Sequence, residues 1–284
     1  MFLFEDKIIP LDEWVSSFID WLVEGYRWFF QMIKWPVEVT LTGLENGLHT
    51  VHPLIIVVLV GIIAWRVSGL RLAIFSIVSM ILIGMLGLWP DTMTTLAMVF
   101  SSVIFCTIVG IPLGLWAGRS DRFDSILRPC LDAMQTTPAF VYLVPIVMLF
   151  SVGNVAGVLA TIIFSLPPIV RLTSLGIRQV HPELVEAAQA FGATRWQVLR
   201  RVQIPLAMPT ILAGLNQTIM MALSMVVIAA LIGAGGLGSP VILGLNTLDI
   251  GRAVIGGLSI VLMAMVLDRI TQSMAGKKRK GQEG

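Results

Sequence analysis

Charge is scarce in this chain. Asp, Glu, Lys and Arg make up 13% of its 284 residues, about half of the roughly 25% found in typical soluble domains. Cysteine occurs only at Cys106 and Cys130, and histidine only at His49, His52 and His181. Two cysteines exclude a disulfide scaffold, and the lack of low-complexity repeats excludes a disordered or collagen-like chain. No His-Glu-x-x-His or other metal-ligand spacing is present, so no metal site is expected. The hydroxyls, Ser120 beside Asp121 among them, have no histidine nearby in sequence, which argues against a nucleophilic triad. There is no Gly-x-x-x-x-Gly-Lys-Ser/Thr loop to cradle phosphates with backbone N–H groups; the glycine-rich run at 233–238 has no lysine near it. The first ten residues lack the basic start and apolar run of a secretory leader.

Apolar residues are what the chain has in excess. They are 56% of the total and raise the mean hydropathy to +0.89, more apolar surface than a single water-facing globule buries. The composition indicates an all-α integral membrane protein. A helix needs about 20 apolar residues to cross the hydrocarbon core. Hydropathy predicts a bundle of about seven transmembrane helices, at 49–65, 72–89, 92–117, 137–151, 155–172, 206–233 and 251–270.

The few charges are unevenly distributed. If seven spans alternate, 15 of the 19 Lys and Arg residues fall on one side; Lys7, Arg27, Lys34 and Arg252 fall opposite. Short-loop Lys and Arg mark the cytoplasmic side, so the tail Lys277-Lys278-Arg279-Lys280 is expected inside and the acidic N-terminus outside. A basic cluster beside an apolar segment reads as a membrane flank, and no nucleic-acid partner is expected. The span interiors hold no acid, Lys or Arg well away from their ends. Proton-driven carriers usually need such groups as relays, so their absence argues against secondary transport.

Residues 11–38 have a different pattern. Glu13, Ser17, Asp20, Glu24, Arg27, Gln31, Lys34 and Glu38 recur at steps of four and three, drawing one polar stripe. Trp14, Phe18, Trp21, Leu22, Trp28, Phe29 and Met32 cover the rest. A helix of this kind suits the membrane interface, where indole rings settle at headgroup level. The expected organisation is an N-terminal amphipathic segment over 1–45, peripheral spans over 46–90, a core over 91–272 and a basic tail over 273–284.

The longest polar stretch beyond residue 90 runs from 171 to 204. His181-Pro182 opens a helix, since proline at the first helical position loses no needed N–H. Gly192 is placed to end it in a left-handed cap. Thr194 and Gln197 have capping-box spacing and start a second short helix through about Val202. The product is a helix–turn–helix knob over 178–205. It carries Glu186-Ala187-Ala188, Gly192 and Val202-Gln203-Ile204-Pro205.

That pattern resembles the Glu-Ala-Ala loop of ABC importer permeases: Glu-Ala-Ala, three residues, Gly, nine residues, Ile-x-Leu-Pro. Val202 and Ile204 depart from it conservatively. Three further stretches are similar to the glycine betaine/proline betaine/choline permeases. They are Asp132-Ala133-Met134-Gln135-Thr136-Thr137-Pro138 leading into Val141-Tyr142-Leu143-Val144-Pro145, then Gly233–Gly238, then Leu248-Asp249-Ile250-Gly251. The resemblance covers about residues 50–272.

The resemblance implies a permease subunit that works as a pair with two ATPase subunits and a solute-binding protein. ATP and magnesium would be bound by the ATPase, with no cofactor in this chain. It also implies that Glu186, Ala187, Ala188, Gly192, Val202, Ile204 and Pro205 couple to the ATPase. Candidate path-lining groups are Tyr142, Thr161, Ser165, Asn216 and Gln217. Within the class, a permease for another small solute such as methionine or a sulfonate is the alternative. An osmotically gated channel is the alternative from another class.

Overall fold

The computed structural model describes residues 11–280, which are helical throughout apart from short turns and contain no strand. The first ten residues of the expected N-terminal segment and the last four of the tail lie outside the described residues. Twelve α-helices follow one another: α1 Leu11–Thr50, α2 Pro53–Ser68, α3 Leu70–Met85, α4 Trp89–Arg119, α5 Asp121–Thr136, α6 Leu143–Phe150, α7 Asn154–Arg178, α8 Pro182–Ala190, α9 Arg195–Val198, α10 Ile204–Ala229, α11 Gly238–Asn246 and α12 Ile250–Lys280.

Among the described residues, four segments are long and apolar enough to cross a membrane: Trp89–Arg119, Asn154–Arg178, Arg195–Ile232 and Ile250–Met274. Counting each of two sharply bent pairs as one span gives up to six. This corrects the seven expected from hydropathy. The 137–151 segment is a 3-10 turn, Ala139–Tyr142, plus the eight-residue α6, and it bends 103° from α5. The bend falls at Pro138, where Thr137 is extended, the conformation favoured before proline. The segment before it, which lies between the expected spans, is the helix α5, with Ser120 accepting from the Phe123 N–H at its start. Hydropathy sees apolar length but not that only eight of these residues form an α-helix.

The core is α4, α7 and α10, with α7 in the middle. Helices α4 and α7 run parallel: the Ser102 hydroxyl reaches Val158 O and the Cys106 thiol Ile162 O, while Gly114 and Gly118 meet Thr173 and Ile177. Helix α10 returns antiparallel, since Gly157 meets Ala229 and Gly176 meets Ala207. Lipid tails are as apolar as leucine, so close backbone approach and dispersion, more than hydrophobic burial, hold such helices together. At Gly114 an added Cβ would lie 2.5 Å from Thr173 Cβ and 2.7 Å from Val170 O. No side chain fits there.

The glycine-rich run ties the opposite end of the bundle. The Leu237 N–H donates to Thr95 Oγ1 at 2.8 Å and the Gly235 N–H to Asn154 Oδ1 at 2.7 Å. The segment 230–238 thereby joins the N-terminal ends of α4 and α7, the close helix approach that its glycines suggest. Helix α1 reaches the same end, where Phe30 packs on Phe150 and Glu45 and His49 bond Thr94. It then turns 105° into α2, and its Trp14, Phe18, Trp21, Trp28 and Trp35 are exposed.

Candidate functional site

The knob sits at the end of the bundle where the arginines gather. Arg178 closes α7 there: it donates to Asp121 Oδ1 at 2.6 Å and to Ala117 O at 2.7 Å, and lies 3.6 Å from Asp124. Arg128 meets the same Asp124 at 2.5 Å, and Arg171 pairs with Asp132. These contacts bind the ends of α4, α5 and α7 into one ledge, beyond which the chain enters α8.

Helix α8 begins after His181 with Pro182 in its first turn and Glu183 near the positive end of the macrodipole. It ends as the sequence predicts. Gly192 has φ +81°, its N–H donates to Gln189 O at 2.8 Å, and the Ala193 N–H reaches back to Ala188 O at 3.0 Å. A left-handed glycine with this long back-bond is a Schellman cap. Nothing lies within 4 Å of a Cβ built on Gly192, so the backbone angle, not lack of space, requires glycine here. The capping box is complete: the Gln197 N–H donates to Thr194 Oγ1 at 3.3 Å and the Thr194 N–H to Gln197 Oε1 at 2.8 Å.

Beyond α9 the structure differs from expectation. The second helix does not stop at Val202. It passes through a π turn, Leu199–Gln203, and continues as α10, giving one apolar helix over Arg195–Ile232. The Ile204 N–H bonds Leu199 O, five residues back. Pro205 has no N–H to continue the regular ladder, and widening the preceding turn accommodates it. Helix α9 is thereby continuous with the longest of the four span segments.

All seven predicted coupling residues fall on this unit, whose α8 packs on α9 and on the π turn. Glu186 and Ala187 are exposed on α8, Ala188 is half-buried, and Gly192 is exposed in the cap. Val202 and Ile204 are half-buried around the π turn, and Pro205 is exposed at the start of α10. Glu186 has no ion pair or hydrogen bond from its carboxylate among the described residues, which leaves it open to a partner. Sequence reasoning passed over the apolar residues of the knob. Val198 and Leu199 are buried and anchor it to the bundle, while Leu184, Trp196 at 64% and Phe191 at 93% exposure stand clear. Their signal was apolar side chains in an otherwise polar stretch.

The candidate path residues are not brought together. The Tyr142 hydroxyl donates to Met134 O and closes the end of α5. Thr161 and Ser165 are fully buried in α7 and donate to carbonyls one turn back on their own helix, at 2.7 and 2.6 Å. Asn216 bridges α10 to α12: its amide donates to Asp268 at 3.2 Å and its oxygen accepts from Thr271. Gln217 alone among the five is exposed, on a stripe of α10 that continues through Ser224.

A bundle of apolar spans with a helix–turn–helix knob at one end has counterparts among known proteins. Residues 110–280 match the family described as the binding-protein-dependent transport system inner membrane component. The chain belongs to that family. Over 276 residues this permease is 52% identical to the glycine betaine/proline betaine transport system permease protein ProW of Escherichia coli, covering 97% of this chain and 78% of that one. Over 271 residues it is 44% identical to the glycine betaine transport system permease protein OpuAB of Bacillus subtilis, covering 95% and 96%. In fold the permease is similar to a chain of the inward-facing MetNI methionine ABC transporter, with a TM-score of 0.59 at 21% identity over 65% of this chain and 92% of that one. At that identity the likeness is one of fold alone.

Proposed function

We propose that this protein is the membrane-spanning permease subunit of an ATP-driven importer for quaternary-amine osmoprotectants such as glycine betaine and proline betaine. The observation that carries the reading is the identity, across nearly the whole chain, to permeases named for those solutes. The low charge of the span interiors agrees with it, because a zwitterionic cargo needs a polar path without a fixed net charge.

In this reading the permease works as a pair, with two ATPase subunits at the knob end and a solute-binding protein at the glycine-rich end. ATP and magnesium belong to the ATPase, and the knob and the C-terminus face the cytoplasm. The gathering of arginines at the knob end supports that orientation. Closure of the ATPase dimer pushes on α8 and α9, and the unbroken helix through α10 carries the displacement into the membrane. Glu186, Ala187, Ala188 and Gly192 shape the docking face, Phe191 and Trp196 fill pockets on the ATPase, and Val202, Ile204 and Pro205 form the joint to α10. Gln217 and Ser224 face the solute. The mechanism requires the nucleotide-bound ATPase to bind one permease state more tightly than the other, because equal binding shifts nothing. Residues 11–38 lie along the membrane interface, as their exposed indoles and the 105° turn into α2 support.

The test is uptake into proteoliposomes holding the permease with its ATPase and binding protein. Glycine betaine should accumulate only with ATP, and a hundredfold excess of methionine should not compete. Betaine flux through the permease alone would reject an importer, and uptake blocked by methionine but not by proline betaine would reject the substrate class.

A further inference from the structure

Away from the knob, Ser68, Arg71, Leu72 and Phe75 at the α2–α3 corner face Met265 and Arg269 of α12 across a groove of about 460 Å³. Its walls are apolar and its mouth carries two guanidinium groups. Neither Arg71 nor Arg269 has a carboxylate or hydrogen-bond partner among the described residues. The nearest acid in sequence, Asp268, is committed elsewhere, accepting from Asn216 at 3.2 Å and from Gln272 at 2.7 and 2.8 Å. Two like charges border one groove whose described lining holds no compensating acid.

We propose that this groove binds an anionic phospholipid. The phosphodiester lies between Arg71 and Arg269, whose forked donors match its oxygens, and the Ser68 hydroxyl supplies a further donor. Acyl chains run along Leu72, Phe75 and Met265 and continue onto the exposed face of α3 at Leu70, Ile74 and Val78. Basic grooves between membrane helices recognise anionic headgroups in this way. A free phosphate would satisfy the charges but not the apolar wall, which favours the lipid. The lipid would fasten the peripheral α2–α3 hairpin to α12. The inference needs only that the chain spans a membrane; it holds whatever solute is carried.

The experiment titrates the purified, assembled complex with phosphatidylglycerol, phosphatidylcholine or glycerol 3-phosphate and counts bound lipid by native mass spectrometry. Phosphatidylglycerol should bind, R71Q should weaken it about fivefold, and R71Q/R269Q about thirtyfold, since each arginine contributes about that factor. R122Q, on the exposed face of α5, should change nothing, and millimolar glycerol 3-phosphate should not displace the lipid. Equal retention by wild type and R71Q/R269Q would overturn the proposal, as would equal binding of phosphatidylcholine. Displacement by glycerol 3-phosphate would make the groove a soluble-anion site and would also overturn it. If the double variant does not assemble, R71Q alone still reads the fivefold change.

Discussion

Substitutions at Gly192 separate a backbone requirement from a contact requirement. At φ +81° with open space around it, this residue can take a side chain sterically but not conformationally. An L-residue held in the left-handed region costs about 1–2 kcal/mol, which shifts the balance between the capped and the frayed end of α8 about 5–30-fold toward fraying. Because the knob is exposed and the bundle is held by α4, α7 and α10, this cost falls on the geometry of α8 and not on insertion of the spans. Asparagine tolerates the left-handed region several-fold better than other residues, and β-branched valine tolerates it least. Uptake should therefore fall in the order Gly, Asn, Ala, Val. Gly192→Val should retain membrane expression but lose coupling of ATP hydrolysis to uptake. The assay is the ratio of solute accumulated to ATP hydrolysed in proteoliposomes, beside thermal unfolding in detergent. An order that follows side-chain size, with Ala better than Asn, would refute the conformational argument and show that the ATPase needs the space itself. Normal coupling in Gly192→Val would remove the knob from the mechanism.

Three other pairs of substitutions test the structure at separate points. Gly114→Val must force α4 from α7 at the contacts with Thr173 and Val170 O; overpacking of this kind costs about 1–3 kcal/mol and should lower the detergent Tm by several degrees, whereas Gly257→Ala, with nothing within 4 Å, should leave it unchanged. Asp124→Asn, at a 17% exposed carboxylate shared by Arg128 and Arg178, should destabilise by about 1 kcal/mol, the upper end for partly exposed pairs; Asp121→Asn, at a 91% exposed one, should have no measurable effect on Tm. Phe191→Ala and Trp196→Ala should leave Tm unchanged, because both rings are exposed, but weaken co-purification of the ATPase at least tenfold if they anchor the interface.

Much of the site was legible because its signals are local. The Gly192 cap and the Thr194–Gln197 capping box depend on residues within one turn of each other, and both form as their spacing predicts. The span count was less legible. Pro138 bends the chain at the start of the 137–151 stretch, where α6 is only eight residues long, and α2 and α3, at 16 residues each, reach about 24 Å at 1.5 Å per residue, short of the roughly 30 Å hydrocarbon core. The path candidates failed to converge for another reason. A hydroxyl in a sequence does not say whether it faces a cavity or its own helix, and Thr161 and Ser165 bond their own backbone.

Composition alone determined that the chain lives in a membrane, because so high an apolar fraction leaves no other solvent for it, and the spaced residues at 186–205 determined the capped turn between α8 and α9. Tertiary structure decided the rest. The parallel packing of α4 on α7 through Gly114, the π turn that makes knob and span one continuous helix, and the facing of Arg71 and Arg269 all join residues from distant parts of the chain or depend on how the backbone turns between them. Hydropathy and motif spacing act along the chain; close approach and charge neutralisation act through space, and the folded bundle sets those distances.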